Sequence, residues 1–265
     1  MAIQDAGRKW ISVDRKQDGV VTILFDRPEK KNALDLSMWR ALADTVDELS
    51  ADEGMRALVL GSNGPDFCAG ADISEFDAMR ADPDSARTYE AANSAAFAAL
   101  RNAPFPTIAA ISGICFGGGF GLAAACDLRV ASSEARFAVP AARLGLAYPV
   151  EAMGDIVHAV GAQLARYLTF TGASLGAAEA LEAGFLLETV ADDPRDRAAQ
   201  LASAIAANAP LSIRASKASI AAVLSGRAED AEKAARIGDA TFTSADYGEG
   251  RAAFKDKRKP LFRGE

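Results

Sequence analysis

Apolar runs in the first part of the chain have the lengths and flanking turn residues of β-strands. The stretch RKWISVDRKQDGVVTILFDRP predicts two strands on either side of a turn at Asp18 and Gly19. MRALVLGS predicts a buried strand, and TIAAISGICF, which follows Pro104 and Pro106, predicts a second apolar strand. LRVASSEARFAVP adds further strand-like segments. These runs indicate a core that contains a β-sheet.

Segments with helical periodicity alternate with the predicted strands, and the C-terminal part of the chain contains only helical segments. An amphipathic helix is predicted near Leu36 to Leu49, and a loop and helix over Ile73 to Leu100. GAQLARYLTFTG and SLGAAEALEAG predict helices, and nearly everything from about Pro194 onward reads as helical. This order predicts an α/β core over residues 1–195 and a helical region over 196–265. No low-complexity linker separates the two, so the helical region should pack on the core or on a neighbouring subunit.

Composition and charge narrow the class of protein. The 265 residues are 50% hydrophobic, enough to fill a large core. No run of 18 or more apolar residues occurs, and the N-terminus MAIQDAGRKW is charged where a signal peptide needs apolar residues. We therefore expect a soluble, cytoplasmic protein without a membrane partner. A net charge of -7 disfavours nucleic acid, although the basic cluster within residues 255–259 could meet a phosphate-bearing ligand.

The cysteines and the histidine limit the possible chemistry. Cys68, Cys115 and Cys126 show no paired spacing, which fits a reducing compartment and predicts no zinc or other metal site. Cys68 and Cys115 are interpreted as small apolar fillers rather than nucleophiles. The single histidine, His158, is expected to be structural, either buried or at an interface.

A glycine-rich motif, GICFGGGFGLAAACDL, follows the second apolar strand. Consecutive glycines between a strand and a helix allow close backbone approach and leave N–H groups unpaired at the helix start. Such groups bind negative charge, either a phosphate or an oxyanion that develops on an acyl group. The dinucleotide fingerprint is a weak match at Gly119, Gly121 and Ala124, because Arg143 stands about 20 positions on, where an acid is required.

A second loop, GSNGPDFCAGADISEF, follows the predicted strand at residues 57–60. An FCAGADI loop ahead of a GGG loop that ends in CDLRVAS resembles the crotonase superfamily, also called the enoyl-CoA hydratase/isomerase family. FDRPEKKNAL, EALEAGFLLETV and EGRAAFKDKRKPLF also look like segments of that family, so the resemblance covers almost the whole chain.

The resemblance implies a fold, a ligand and an assembly. The expected fold is an α/β spiral of ββα repeats with a helical C-terminal region that forms a trimer, commonly within a dimer of trimers. The expected ligand is a thioester of coenzyme A, which enters as substrate, with no permanently bound cofactor. The family's two oxyanion donors fall on the backbone N–H groups of Ala71 and Gly118. The other residues that the resemblance places at the ligand are Ala69, Gly70, Asp72, Gly117, Ala141, Tyr148, Lys31, Phe254 and Lys257.

The family's acid–base residues are absent from the matching positions. Hydratases of the family carry a glutamate in the pattern GGGxE and another after a proline; the corresponding residues here are Gly121 and Ala141. A third acidic position, used by some isomerases and dehalogenases, falls on Pro149. General acid–base catalysis contributes about 10²–10⁴-fold per group, which disfavours ordinary two-glutamate hydration. Isomerase, decarboxylase, lyase or hydrolase chemistry stays open.

Glu151 is the leading candidate for a replacement base, because it stands two residues after Pro149 in the expected first turn of a helix that faces the acyl group in relatives. A proline at the first helical position and a glutamate at the third also suit a helix start alone, so a structural role for Glu151 stays open. Tyr148 could donate a hydrogen bond or pack as an aromatic ring, and Asp155 could assist Glu151 or face solvent. Asp72 and Asp127 are expected to order their loops. The alternative function is a non-catalytic acyl-CoA-binding homologue.

Overall fold

Two β-sheets carry the predicted strands in the computed structural model, which describes residues 7–265. Residues 1–6, part of the charged N-terminus noted above, lie outside the described residues. The larger sheet begins with an antiparallel pair, and its other neighbours are parallel. Its strands, in spatial order, are β1 (Ile11–Arg15), β2 (Val20–Phe25), β3 (Ala57–Ser62), β4 (Thr107–Ile111), β6 (Leu128–Ser132) and β9 (Glu188–Val190).

The smaller sheet contains β5 (Ile114–Phe116), β7 (Arg136–Ala138) and β8 (Ser174–Gly176). The prediction of one strand over TIAAISGICF is wrong, because the chain breaks at Ser112 and Gly113 into β4 and β5. Gly113 has φ +50°, and a Cβ there would lie 2.3 Å from the Pro65 carbonyl oxygen. This break sends β5 into the second sheet, where it pairs with β7.

The helices follow the predicted periodicity, and several begin at side chains that cap them. Asp35 accepts a hydrogen bond from Met38 N, Asp82 forms a capping box with Ser85, and Ser244 accepts from Tyr247 N. The helices are α1 (Leu36–Ser50), α2 (Phe76–Met79), α3 (Pro83–Asn102), α4 (Gly118–Ala125), α5 (Val150–Thr171), α6 (Ala177–Glu182), α7 (Pro194–Ala206), α8 (Pro210–Ser225), α9 (Ala228–Ala240) and α10 (Ala245–Asp256). Short 3-10 helices connect some of them.

The repeating unit places one strand in each sheet and then returns through a helix. The strands β4 and β5 lead into α4, and β6 and β7 lead into α5. Helix α3 packs against α1, α4 and α5 on one side of the large sheet, around a core that includes Trp39, Phe97 and Phe120. The α/β architecture of ββα repeats predicted above is therefore confirmed.

The helical C-terminal region is tied to the core. Ala198 and Ala202 of α7 pack on the sheet residues Val59 and Ile108, so the expected boundary at 195/196 lies inside a helix that covers the large sheet. Lys217 Nζ of α8 donates to Asp127 Oδ2 at 2.7 Å and to the Phe105 carbonyl at 2.9 Å. The expectation that this region packs on the core is confirmed. Among the described residues, no helix is both long enough and apolar enough to span a membrane.

Candidate functional site

The two motif loops lie side by side because the loop after β3 runs along β5. Cys68 N donates to the Ile114 carbonyl at 2.9 Å, and Phe116 N donates to the Cys68 carbonyl at 3.0 Å. Cys68 and Cys115 are parallel bridge partners. This pairing brings residues 69–71 next to Gly117 and Gly118 at the start of α4.

Glycine is required where the loops touch. Gly70 has φ +100°, and a Cβ there would lie 2.9 Å from both Gly118 N and the Phe116 carbonyl oxygen. A Cβ at Gly119 would lie 2.3 Å from the Cys68 carbonyl oxygen. Side chains at these positions would separate the loops, so the glycines keep the two backbones in contact.

Two N–H groups at this junction have no partner within the described chain. The neighbouring N–H groups are paired: Gly70 N with Cys68 Sγ at 3.3 Å, Asp72 N with the Leu34 carbonyl at 2.8 Å, and Gly117 N with the Ala138 carbonyl at 2.9 Å. Ala71 N and Gly118 N, by contrast, donate no hydrogen bond to another described residue.

Both residues with unpaired N–H groups are accessible to a ligand. Ala71 and Gly118 are half-buried, as are Ala69 and Gly117. Gly118 is also the first residue of α4, where the helix dipole favours negative charge. Two adjacent N–H donors of this kind can bind one oxygen that acquires negative charge during a reaction.

Gly121 faces an aromatic ring. A Cβ at Gly121 would lie 2.8 Å from Cζ and 3.0 Å from Cε1 of Phe97. The Phe97 ring is 3% exposed and packs edge-on against Trp39, with ring centroids 5.7 Å apart. The space into which a side chain at position 121 would project is therefore filled by Phe97.

Tyr148 lies beside the glycine loop, whereas Ala141 offers only a methyl group. The Tyr148 hydroxyl oxygen is 3.7 Å from a Cβ placed on Gly117, and it makes no hydrogen bond within the described chain. Burial, followed by the charge of Glu90, raises the pKa of Tyr148 well above its ordinary value, so the hydroxyl stays neutral and can donate. Ala141, half-buried, begins the 3-10 helix Ala141–Leu144.

Glu151 is exposed at the start of α5. Helix α5 has Pro149 at its N-cap, so Glu151 is the second helical residue and not the third, as the sequence suggested. Its side chain is exposed and forms no hydrogen bond or ion pair with another described residue. Its role as a base stays a prediction.

Asp155 does not face solvent. It is buried and pairs with Arg101 of α3, with Nη1 and Oδ2 2.6 Å apart. Burial raises the pKa of Asp155 more than Arg101 lowers it. His158, on the next turn, is exposed in the single chain, so of its two expected places only an interface with another subunit stays open. Asp155 therefore links α3 to α5, and its carboxylate is already occupied.

Two polar residues of α3 escaped the sequence analysis. Glu90 Oε1 is 2.7 Å from Nη1 of Arg80, a side chain that is 8% exposed and stacks on Phe76 and Tyr89. Asn93 is 7% exposed, and its carboxamide oxygen has no hydrogen-bond partner. The signal was present in YEAANSAAFAAL, where polar residues stand at helical spacing on an otherwise alanine-rich segment.

Asp72 orders its own loop, as predicted. Its carboxylate accepts from Ser74 N at 3.0 Å and lies 3.0 Å from Arg27. Burial is the largest single influence and raises the pKa of Asp72, but the hydrogen bonds from Ser74 and the charges of Arg27 and Lys30 together lower it below its ordinary value. Asp72 therefore acts as a cap within the chain.

The residues expected near coenzyme A lie in different places. Lys31 is exposed, and its carbonyl accepts from Ala69 N at 3.0 Å, which places it beside the first loop. Phe254 is 89% exposed and Lys257 is also exposed. Neither of these two residues forms a backbone hydrogen bond with the motif loops within the described chain.

All three cysteines are buried, which agrees with the interpretation of Cys68 and Cys115 as fillers. Burial raises the pKa of Cys68 and of Cys126 to about 12 and raises that of Cys115 as well. Their thiols stay protonated and are poor nucleophiles. No group of three or more His, Cys, Asp or Glu side chains able to hold a metal ion occurs among residues 7–265.

Comparisons with known proteins identify the family of the chain. A family model described as enoyl-CoA hydratase/isomerase matches residues 15–265. Methylglutaconyl-CoA hydratase of Mus musculus is 31% identical over 96% of this chain and 82% of its own length. 2,3-Dehydroadipyl-CoA hydratase of Escherichia coli is 30% identical over 94% of this chain and 97% of its own. A crystal structure of enoyl-CoA hydratase from Bacillus anthracis superposes with a TM-score of 0.89, at 29% identity, over 97% of this chain and 100% of that one.

Proposed function

Because the chain belongs to the enoyl-CoA hydratase/isomerase family, whose members process acyl-CoA, we propose that it binds an acyl-CoA thioester with the carbonyl oxygen between Ala71 N and Gly118 N. The observation that supports this most is that these two N–H groups are unpaired while their neighbours are paired. Donors fixed in this way stabilise the negative charge of an enolate or a tetrahedral intermediate as it forms.

The proposed reaction is not two-glutamate hydration. Gly121 and Ala141 stand at the positions that the resemblance assigns to the hydratase carboxylates, and Phe97 fills the space beside Gly121. Steps that need only oxyanion stabilisation and one proton carrier are favoured, as in isomerisation, decarboxylation, C–C cleavage or thioester hydrolysis. The relatives described as hydratases do not fix the reaction of this chain.

A non-catalytic acyl-CoA-binding role is the second candidate function. The observation that favours it is the exposed side chain of Glu151, which forms no contact that would hold it over the thioester. In this case the chain would keep the two donors for binding without a group that moves a proton.

The proposed assembly is a trimer or a dimer of trimers formed through the helical region. Large apolar side chains on that region are exposed in the single chain, including Ile220, Val223 and Phe242. Phe254 and Lys257 are proposed to contact coenzyme A, with Lys257 near a phosphate and Lys31 beside the adenosine end.

The test removes one donor without adding atoms to the junction. Replacement of Ala71 by L-lactic acid converts its N–H into an ester oxygen and keeps the methyl group. Loss of one oxyanion donor should lower turnover by about 10²–10³-fold. Gly118→Pro is a poorer test, because a Cβ at Gly118 would lie 2.8 Å from the Trp39 ring. The matched control is the same replacement at Ala228, an exposed residue at the start of α9, which should leave turnover unchanged.

Turnover is measured by mass spectrometry with a panel of enoyl-, 3-hydroxyacyl-, malonyl- and aryl-CoA thioesters. Unchanged turnover in the Ala71 ester protein, with its fold intact, would contradict the proposed donor. Binding of thioesters without turnover of any of them would favour the non-catalytic function. Absence of any thioester binding would contradict both.

A further inference from the structure

Helix α4, which carries the proposed donor Gly118 at its first position, is short and rich in glycine. It has eight residues, of which three are glycine, and none carries a polar side chain. Its N-cap, Gly117, supplies no side-chain hydrogen bond. Glycine is conformationally permissive, and a helix of this length is not stable by itself. The direction of Gly118 N therefore depends on the groups that pack against the rest of α4.

Arg129 of β6 holds the carboxyl-terminal end of α4. Its Nη1 donates to the Cys126 carbonyl at 2.6 Å and to the Ala123 carbonyl at 3.3 Å, and its Nε donates to the Phe185 carbonyl at 2.5 Å. Within the described chain, no other side chain donates a hydrogen bond to the backbone of residues 118–126. Because the last carbonyls of a helix carry partial negative charge, a guanidinium group is favoured there.

The charge of Arg129 has no carboxylate partner. The residue is half-buried and forms no ion pair with another described residue. The carboxylate two positions earlier, Asp127, pairs instead with Lys217, with Oδ2 and Nζ 2.7 Å apart. Burial is the largest influence on the pKa of Arg129 and lowers it, although an arginine stays charged in a folded protein. A desolvated cation is unfavourable unless acceptors surround it, and here the backbone carbonyls at the end of α4 and at Phe185 serve as acceptors.

Phe185 extends the contact of Arg129 toward the donor end of α4. Arg129 Cζ lies 5.1 Å from the centroid of the Phe185 ring. That ring stacks on Phe120, with centroids 4.6 Å apart and planes at 6°, and Phe137 packs edge-on against both rings. Phe120 is fully buried and stands two residues after Gly118 in α4. Arg129 thus contacts α4 directly at one end and through Phe185 near the other.

The core closes the other side of α4. An added Cβ would lie 2.8 Å from the Trp39 ring at Gly118 and 2.8 Å from the Phe97 ring at Gly121. Since successive helical residues point about 100° apart, Phe120 lies on roughly the opposite side of α4 from these two glycines. Trp39 and Phe97 therefore limit movement of α4 in one direction, and the stack on Phe120 limits it in the other.

Building on the proposed function, we propose that Arg129 is a positioning residue, which together with Phe185 fixes the direction of α4 so that Gly118 N and Ala71 N point at the same thioester oxygen. Arg129 acts through α4 and not by contact with the substrate. Its loss should weaken the hydrogen bond from Gly118 and leave binding of the coenzyme A portion in place.

The experiment observes the carbonyl of a bound thioester directly. Butyryl-CoA labelled with carbon-13 at the thioester carbonyl is added to the full protein, and the C=O band is measured by isotope-edited infrared difference spectroscopy. Donors at the carbonyl oxygen polarise the C=O bond, so the band in the wild-type complex should lie at lower wavenumber than in free butyryl-CoA. The band reports on folded, ligand-bound protein, so a loss of stability alone does not move it. Titration calorimetry measures the affinity for the same ligand.

Two variants break the contact at different points. Arg129→Met keeps the aliphatic stem and removes the guanidinium group, and Phe185→Leu removes the ring that joins Arg129 to Phe120. Each should lose most of the band shift while its affinity for butyryl-CoA stays nearly unchanged. For any thioester that is turned over, kcat should fall about 10- to 100-fold at nearly constant KM, as expected when a group in the site is misplaced by about 1 Å.

Arg214→Met is the matched control. Arg214 of α8 also donates to backbone carbonyls, those of Glu53 at 2.9 Å and Met55 at 3.4 Å, but these lie outside α4. The variant should be less stable in urea and keep the full band shift. Circular dichroism checks that every variant is folded, and where Arg129→Met does not fold, Phe185→Leu carries the same test.

The full wild-type shift in folded Arg129→Met, or an equal loss of the shift in Arg214→Met, would overturn this inference and leave the proposed function intact. Wild-type protein that binds butyryl-CoA with an unshifted carbonyl band would instead contradict the proposed donors. Failure of the wild type to bind butyryl-CoA or any other thioester of the panel would overturn the proposed function.

Discussion

The contact between Gly121 and Phe97 makes a quantitative prediction for Gly121→Ala. In a helix interior this change normally stabilises a protein by about 0.5–1 kcal/mol. Here the added methyl group would lie 2.8 Å from Cζ of Phe97, a ring that is buried and held against Trp39. Overpacking of a core costs about 1–3 kcal/mol. Because the clash exceeds the helical gain, the variant should lose about 1 kcal/mol of unfolding free energy.

Two further variants isolate the cause. Gly238→Ala changes a helical glycine of α9 with no neighbouring atom within 4 Å of the added Cβ, so it should stabilise by about 0.5–1 kcal/mol. Phe97→Leu shortens the ring. In that background Gly121→Ala should become neutral or stabilising, which corresponds to a coupling energy of about 1–2 kcal/mol.

Urea denaturation at a fixed protein concentration, followed by circular dichroism and by Trp fluorescence, measures the free energy of unfolding of the wild type, the three single variants and the double variant. Additive effects of Gly121→Ala and Phe97→Leu would refute the contact. A gain from Gly121→Ala equal to that from Gly238→Ala would refute it as well, and position 121 would then have room for a side chain.

Three other predictions address the chemistry and the loop. Hydration of crotonyl-CoA should be at least about 10³-fold slower than in a two-glutamate relative, and a comparable rate in the wild type would contradict this. Gly121→Glu combined with Ala141→Glu should raise the hydration rate only when Phe97→Leu provides space for the new side chain. If Glu151 is the base, Glu151→Gln should lower kcat about 10²-fold without changing coenzyme A affinity, and full activity would exclude it. Because the pKa of Asp72 is lowered in the folded state, the stabilisation of the fold by its carboxylate should be complete above the ordinary pKa of 3.8 and be lost as pH falls through the folded value. Urea titrations from pH 7 to pH 2 should therefore show that Asp72→Asn has a lower unfolding free energy than the wild type, and that this difference shrinks only below about pH 4.

Local patterns were sufficient for most of the fold and for the two loops. Period-2 and period-3.6 runs predict the strands and helices because each buries one face, and the glycines predict the close approach of the loops because only glycine tolerates it. The choice of Ala71 and Gly118 within those loops came from the resemblance to the family, and their role as donors stays a prediction. The division of β4 from β5 was missed, because both strands are apolar and Gly113 marks their break only through its φ angle.

The side chains around the donors could not be predicted in the same way. Phe97 meets Gly121 through the packing of α3 on α4, a contact between distant segments that no local pattern encodes. The start of α5 shows a second limit. Successive side chains of a helix point about 100° apart. Because Pro149 is the N-cap and not the first helical residue, every side chain at the start of α5 points about 100° away from the direction that the sequence suggested. Tyr148 lies beside Gly117, and the side chain of Glu151 is exposed.

The backbone N–H groups of the site and the side chains around them differ in their tolerance to substitution. The proposed donors depend on backbone pairing between residues 67–68 and the segment 112–116, and on glycines that admit no side chain. A substitution there would therefore disturb the fold before it altered the proposed chemistry. The groups at Asn93, Tyr148 and Gly121 depend on side-chain identity at a helix face and a helix start, where exchange leaves the backbone in place. A reaction can therefore change while thioester binding is kept. For this chain the specificity of the reaction should be sought in these side chains, above all where Phe97 of α3 meets Gly121 and where Tyr148 meets Gly117.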